Sequence, residues 1–189
     1  MGLPKMSKGM KKSVAGRQVL LAYILICLGA LISLGAPDYG RAAQAKGPTF
    51  AGNGRYIAYA NQRFGYAIEM PAGFQQKSTS DNGDGATFVS NDGAAELAVW
   101  GGYNIEESSA RRVRWTIQDM GPGAKIALKT VKSDWYVLSW LDNGIIYYEK
   151  MIFSSEIVCG FRLSYSLSQK QSYDAIVVHL EKTLRLPHQ

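Results

Sequence analysis

Ser78 to Phe88 reads STSDNGDGATF, setting Asp81, Asn82 and Asp84 among Gly83 and Gly85. Oxygen-bearing side chains at this density suggest a calcium loop. A loop of the helix-loop-helix kind needs oxygen ligands at its first, third and fifth positions and a bidentate glutamate at the twelfth. Counted from Asp81, the third and fifth positions are Gly83 and Gly85, and the twelfth is Asp92, a shorter acid. The residues that follow read as strand, not helix. The same residue types also make a polar bend, in which Asn and Gly accept positive φ and aspartates bond to local backbone amides. The expectation is therefore a bend, with no metal site.

Other reactive groups are scarce. There are two histidines: His188 in the tail, and His179 about 120° around the last helix from its apolar stripe. Neither has a second His or Cys at i±4, the spacing that a helical metal site would use. The serines lack a Gly-x-Ser-x-Gly elbow, and a hydrolase triad would have to take its base from one of those two histidines. GGYN (101–104) and GPGAK (121–125) lack the spacing of a phosphate-binding loop. Cys159, on an apolar strand face, reads as a core thiol, with an exposed or bridging thiol as the minority alternative. No catalytic, cofactor or metal residue is assigned. Carboxylates distant in sequence could still converge, so an envelope hydrolase working through them stays open as the least favoured class.

One recognition surface stands out. With Ala110, Val113, Ile117 and Met120 on the core side of a helix, Trp115 lies nearly opposite, Arg111 one turn before it and Arg114 and Gln118 beside it. An outward tryptophan among arginines offers apolar area with little entropy to lose on docking. Arg111, Arg114, Trp115 and Gln118 are the candidate partner-binding residues. The alternative is intramolecular, with Trp115 under the lead-in segment or stacked with Arg111.

These residues are placed by a pattern of strands and two helices. Phe64, Tyr66, Ile68 and Met70 alternate up to Pro71, and 86–90 and 96–103 are two short strands around Asn91-Asp92-Gly93. The first helix is predicted from an Asn104 cap, with Glu107 as reciprocal partner and Glu106 and Glu107 at the positive end of the dipole, to Gly121-Pro122-Gly123. Strands at 124–131, 134–141, 145–153 and 157–167 follow, with Asp142-Asn143-Gly144 turning the middle pair. Trp135 and Val137 on one face, and Tyr136, Leu138 and Trp140 on the other, mark a strand covered on both sides. Ser168 and Gln171 are a candidate capping box for a closing helix whose stripe is Tyr173, Ile176, Val177, Leu180 and Leu184. The class is α+β: about seven strands, mainly antiparallel, covered by two amphipathic helices.

The opening NQRFGYAIEMPAGF (61–74) resembles the aromatic-Gly-aromatic strand and Pro-x-x-aromatic turn that begin PsbP-like domains, and QSYDAIVVHLEKTLRL (171–186) is similar to their closing helix. The family is named for an extrinsic subunit of photosystem II. The resemblance spans about 57–186 and implies an antiparallel sheet flanked by helices and a non-catalytic accessory or assembly role. It carries over no metal or chloride site, because no matching ligand set is present.

The chain has 189 residues and a formal charge of +6. Residues 1–45 hold six of its 21 basic residues and one of its 15 acids, leaving 15 basic and 14 acidic residues in 46–189. The main domain is thus nearly neutral, which argues against a nucleic-acid footprint. The basic end reads as an export leader. Lys5 to Arg17 are the positive region, Val19–Ala36 is an uncharged run, and Ala43-Gln44-Ala45 precedes the expected cut before Lys46. The alternative is an uncleaved anchor through residues 19–36, a run of 18, near the lower limit for spanning a bilayer. Both place the rest outside the cytoplasm: periplasmic or secreted, or tethered to the inner membrane. Residues 46–56 read as a flexible lead-in and 57–186 as the domain. With one cysteine beyond the leader, no intrachain disulfide forms there. The function expected is an exported, non-enzymatic accessory or protein-binding factor of the bacterial cell envelope. The alternative is a small-ligand or lipid-binding module, with Trp140, Tyr147 and Tyr148 lining a cleft.

Overall fold

The computed structural model describes residues 51–52, 55–105 and 108–187. The leader or anchor, Glu106, Glu107 and His188 lie outside the described residues.

Two antiparallel sheets are present among the described residues. β1 (Ala51–Gly52), β2 (Tyr56–Ala60) and β3 (Ala67–Pro71) form a small sheet in that order. β4 (Phe74–Thr79), β5 (Gly85–Ser90), β6 (Ala95–Tyr103), β7 (Lys125–Val131), β8 (Trp135–Asp142), β9 (Ile145–Phe153) and β10 (Ile157–Ser166) form a seven-stranded sheet ordered β4-β5-β6-β10-β9-β8-β7. Helix α1 (Ser109–Gln118) crosses over between β6 and β7, and α2 (Lys170–Thr183) closes the chain after one 3-10 turn at Leu167–Gln169. This is the expected α+β architecture.

Alternation along the strands generates two cores. Leu97, Val99, Tyr148, Cys159, Phe161 and Leu163 point to one face of the large sheet and pack with Ile68 and Met70 of β3 and Tyr173, Val177 and Leu180 of α2. Tyr136, Leu138, Trp140, Met151, Phe153 and Val158 point to the other face and pack with Val113, Ile117 and Met120 around α1. The molecule is layered: α1, the large sheet, then the small sheet with α2. β8 is buried on both faces, as its sequence predicts.

Four expectations need correction. The strand expected at 64–70 starts at Ala67, because Asn61 folds the preceding residues into a turn. Its Oδ1 accepts from the Arg63 and Phe64 amides at 3.1 and 2.8 Å, and Gly65 adopts φ 69°. That strand also leaves the large sheet for the small one. Its place is taken by β4, FQQKST, where Phe74 alone is buried, so no alternation marked it. The first helix begins at Ser109 under an Ser108 cap, not at Asn104. The Asn104 side chain instead donates to the Ser154 carbonyl at 2.5 Å, and its amide to Glu156, tying β6 to the β9–β10 turn. Finally, Ser168 caps nothing: Ser166 caps the 3-10 turn, and α2 follows with no side-chain cap. By contrast, Asn143 (φ 49°) and Gly144 (φ 78°) make the two-residue hairpin turn their sequence demands.

Close approach explains Gly101. A Cβ there would lie 2.6 Å from the ring of Tyr66, which is fully buried and held by its hydroxyl donating to the Asp84 carbonyl at 3.1 Å. Gly101→Ala is expected to cost about 1–3 kcal/mol through overpacking, read as a lowered midpoint in urea. An unchanged midpoint would show that the ring can move.

Candidate functional site

The Asp/Asn/Gly loop is a clamped bend. Asn61 Nδ2 donates to the Gly83 carbonyl at 2.9 Å, Arg63 Nη1 to Asn82 O at 2.5 Å and Tyr66 OH to Asp84 O at 3.1 Å. Asn82 spends its own side chain on Asp84, accepting from the amide at 3.1 Å and donating to Oδ2 at 2.8 Å. Gly83 turns at φ 72° in open space. The carbonyls that a cation would need point at protein donors. Among the described residues no group of three His, Cys, Asp or Glu is placed to hold a metal ion.

His179 lies half-buried where α2 meets the small sheet. Its ring stacks on Tyr56 at 3.6 Å between centroids, and Nε2 is 2.9 Å from Glu69 Oε2. One helical turn on, Thr183 Oγ1 accepts from the Glu69 amide and donates to the His179 carbonyl. These contacts sew a helix to a strand. Cys159 is fully buried in the α2-side core, and burial pushes its thiol up to about 12.

Trp115 projects from α1 and is 37% exposed. Arg111, Arg114 and Gln118 are exposed beside it. Among the described residues neither arginine has an ion partner or stacks on a ring. Thr116, on the next flank, turns toward β9, where its Oγ1 lies 3.3 Å from Glu149. The structure thus presents the four candidate residues on one outward surface, anchored by the buried Val113.

One cluster has no forerunner in the sequence reading. Glu149, on β9, is 1% exposed beneath α1. Arg162 Nε donates to its Oε2 at 2.7 Å, with Nη2 on the same oxygen; Tyr136 OH and Thr116 donate to Oε1. Four donors replace the water that a buried carboxylate would otherwise lack. Burial, and then the Glu149 charge, raise the Tyr136 hydroxyl well above the usual phenol range. Arg162 Cζ lies 5.2 Å from the centre of the Trp140 ring, which stacks on Tyr147 at 5.0 Å. The signal was available: Glu149 falls in period with Tyr147, Met151 and Phe153, an acid on an apolar face. The cluster brings an acid to a base rather than two acids together.

Of the three aromatics expected in one cleft, Trp140 and Tyr147 share a face, but Tyr148 points the other way and stacks with Phe161 at 6.3 Å. Consecutive strand residues must oppose each other. Beyond α1, which packs on β7, β8 and β9, the same face of β5, β6 and β10 shows Thr87, Glu96, Ala98, Trp100 and Ser164 half-covered. The buried indole N–H of Trp100 has no partner there among the described residues.

The solution structure of cyanobacterial PsbP (CyanoP) from Synechocystis sp. PCC 6803 superposes with a TM-score of 0.55 at 13% identity, covering 78% of this chain and 98% of that one. The fold is PsbP-like. No protein-family model matches the sequence, and a search of curated proteins found no match. Among the described residues no helix is long and apolar enough to cross a membrane.

Two outcomes follow from the buried groups. Glu149→Ala leaves the buried Tyr136 hydroxyl without its acceptor, while Arg162 still reaches solvent, and is expected to destabilise by about 1–3 kcal/mol, measured by denaturant unfolding; an unchanged midpoint would show that water replaces the carboxylate. The folded Cys159 thiol keeps its proton to higher pH than an unfolded one. Stability contributed by this group is therefore full below the ordinary thiol range and falls as pH rises toward 12. Alkylation mapped to Cys159 by peptide mass at pH 8.5 should be slow in buffer and fast in urea, and rapid labelling of native protein would contradict its burial.

Proposed function

We propose that this chain is an exported, non-enzymatic accessory protein of the bacterial cell envelope that docks to a protein partner through the outer surface of α1. The observation that carries this reading is Trp115, more than a third exposed between Arg111 and Arg114, which have no ion partner among the described residues. A large ring and two unneutralised cations on a rigid helix cost little side-chain entropy to bury and supply both area and charge to a partner. The PsbP-like fold supports a scaffold in which surfaces, not a cleft, carry function. The basic region before Val19–Ala36 supports export, with the first mature residue at Lys46.

A second reading has its own observation. The face of β5, β6 and β10 beyond α1 is half-covered and carries Thr87, Glu96, Ala98, Trp100, Arg162 and Ser164, which suits a flat small ligand or lipid headgroup. A thermal-shift panel of metabolites and lipids addresses it: stabilisation of wild type that is lost in Ser164→Arg favours this second site.

Trp115→Ala is expected to keep the folded far-UV spectrum, with a lowered melting midpoint because nearly two thirds of the ring is covered, while crosslinking in intact cells to the native partner falls several-fold. Undiminished crosslinking would remove α1 as the docking surface. Intact mass from fractionated cells should show a chain beginning at Lys46 outside the cytoplasm.

A further inference from the structure

β7 is the last strand of the large sheet, and its outer edge pairs with no other strand among the described residues. A free edge offers a row of backbone donors and acceptors, and proteins guard such rows with lysines and bulges. β7 has both: Lys125 and Lys129 in KIALKTV, and a bulge between Ile126 and Leu128. This guard discriminates by sign. A second copy of the chain would bring the same lysines to the contact and be repelled, whereas an acidic strand would be drawn in.

The positive charge continues onto α1. Lys129 is in register with Leu138, a residue of the α1-side core, so Lys129 emerges on the α1 face; Ile126, opposite Trp140, emerges there too and is 44% exposed. Because Thr116 faces β9, the opposite flank of the helix, bearing Arg114 and Gln118, overlooks β7. Lys132 follows β7, and its carbonyl accepts from Ser109 Oγ under the first turn, the turn that holds Arg111. Arg111, Arg114, Lys129 and Lys132 are all without an ion partner among the described residues. The nearest acids in sequence are Asp119, on the β9 flank, Asp134, beyond the turn, and Glu106 and Glu107, outside the described residues. Among the described residues no acid occupies the first turn of α1, and Arg111 in that turn stands against the helix dipole. In a domain whose charges nearly balance, this is a segregated strip of cations. A helix that breaks the dipole rule marks a surface shaped by something other than its own stability.

We infer that the β7 edge and the adjoining flank of α1 receive an extended acidic segment of a partner protein, which adds to the sheet as an eighth strand while its carboxylates meet Arg111, Arg114, Lys129 and Lys132. This rests on the docking reading above and names the chemistry of the partner. Backbone pairing supplies affinity, and the alternation of the added strand sets its side chains against Ile126 on one face.

The test uses the full-length chain and three probes. The first is a labelled peptide of about ten residues alternating Glu and Val, long enough to pair along one strand. The second is its Lys–Val counterpart. The third is vesicles of phosphatidylcholine and phosphatidylglycerol. The acidic peptide should bind, with salt weakening it, and should slow amide exchange along 125–132; the basic peptide should not bind. The double variant Arg114→Glu, Lys129→Glu should keep its melting midpoint and lose binding about tenfold or more. Equal binding of both peptides, binding of neither, no change in exchange along β7, or binding to the vesicles alone would each overturn the inference. Crosslinking to the native partner separates the two readings. If Trp115→Ala abolishes it while the charge-reversed variant retains it, the acidic-strand inference fails and docking on α1 stands. If neither variant affects it, both fail.

Discussion

Strands β8, β9 and β10 carry large apolar side chains on both faces, and neither face can be left to water. Each buried side chain of this size is worth about 1.5–3 kcal/mol of transfer free energy, so a single covering layer would leave half of that unrealised. The layered arrangement follows. α1 closes one face over Tyr136, Leu138 and Met151, and the small sheet with α2 closes the other over Cys159, Phe161 and Leu163. β9 joins the layers with two consecutive charged residues. Glu149 faces α1 and meets Thr116, while Lys150 faces the opposite way and donates to the Glu181 carbonyl of α2 at 2.9 Å. Strand alternation alone sends these neighbours to opposite helices.

The same constraint determines where a surface is left over. α1 is short, ten residues, and reaches across β7 to β9 only. Strands β5, β6 and β10 therefore keep a half-covered face with Thr87, Glu96, Ala98 and Ser164 around Trp100, and the outer edge of β7 is unpaired among the described residues. These remnants and the outer side of the helix are where the proposed docking falls, while the interior among the described residues is taken up by packing and by a carboxylate with four donors. Likeness to cyanobacterial PsbP, at 13% identity, is a likeness of fold.

Much of the fold was legible in residue order. Two-residue alternation located β5 to β10, the Asn143-Gly144 pair announced its hairpin, and the stripe Tyr173–Leu184 located α2 with its buried side. β4 was not legible, since a strand that buries Phe74 alone has no period to detect. The α1 cap was misplaced because Asn104 has the right chemistry for a cap, yet its amide finds the Ser154 carbonyl, fifty positions away. At the candidate site, helical spacing placed Trp115 and its arginines on one surface. The role of β7 beside them, and the pairing of Glu149 with Arg162, depend on which strands become neighbours.

Local periodicity and turn chemistry are short-range physics, and residue order carries them in full: which segments are strand or helix, which side of each is apolar, and that STSDNGDGATF bends. Partnership is long-range. Whether β3 joins the large sheet or the small one, whether Glu149 meets a guanidinium or another acid, and which strand is left at the edge beside Arg114 turn on small differences among alternative pairings of similar strands. Only the assembled layers, weighing every buried face at once, decide them.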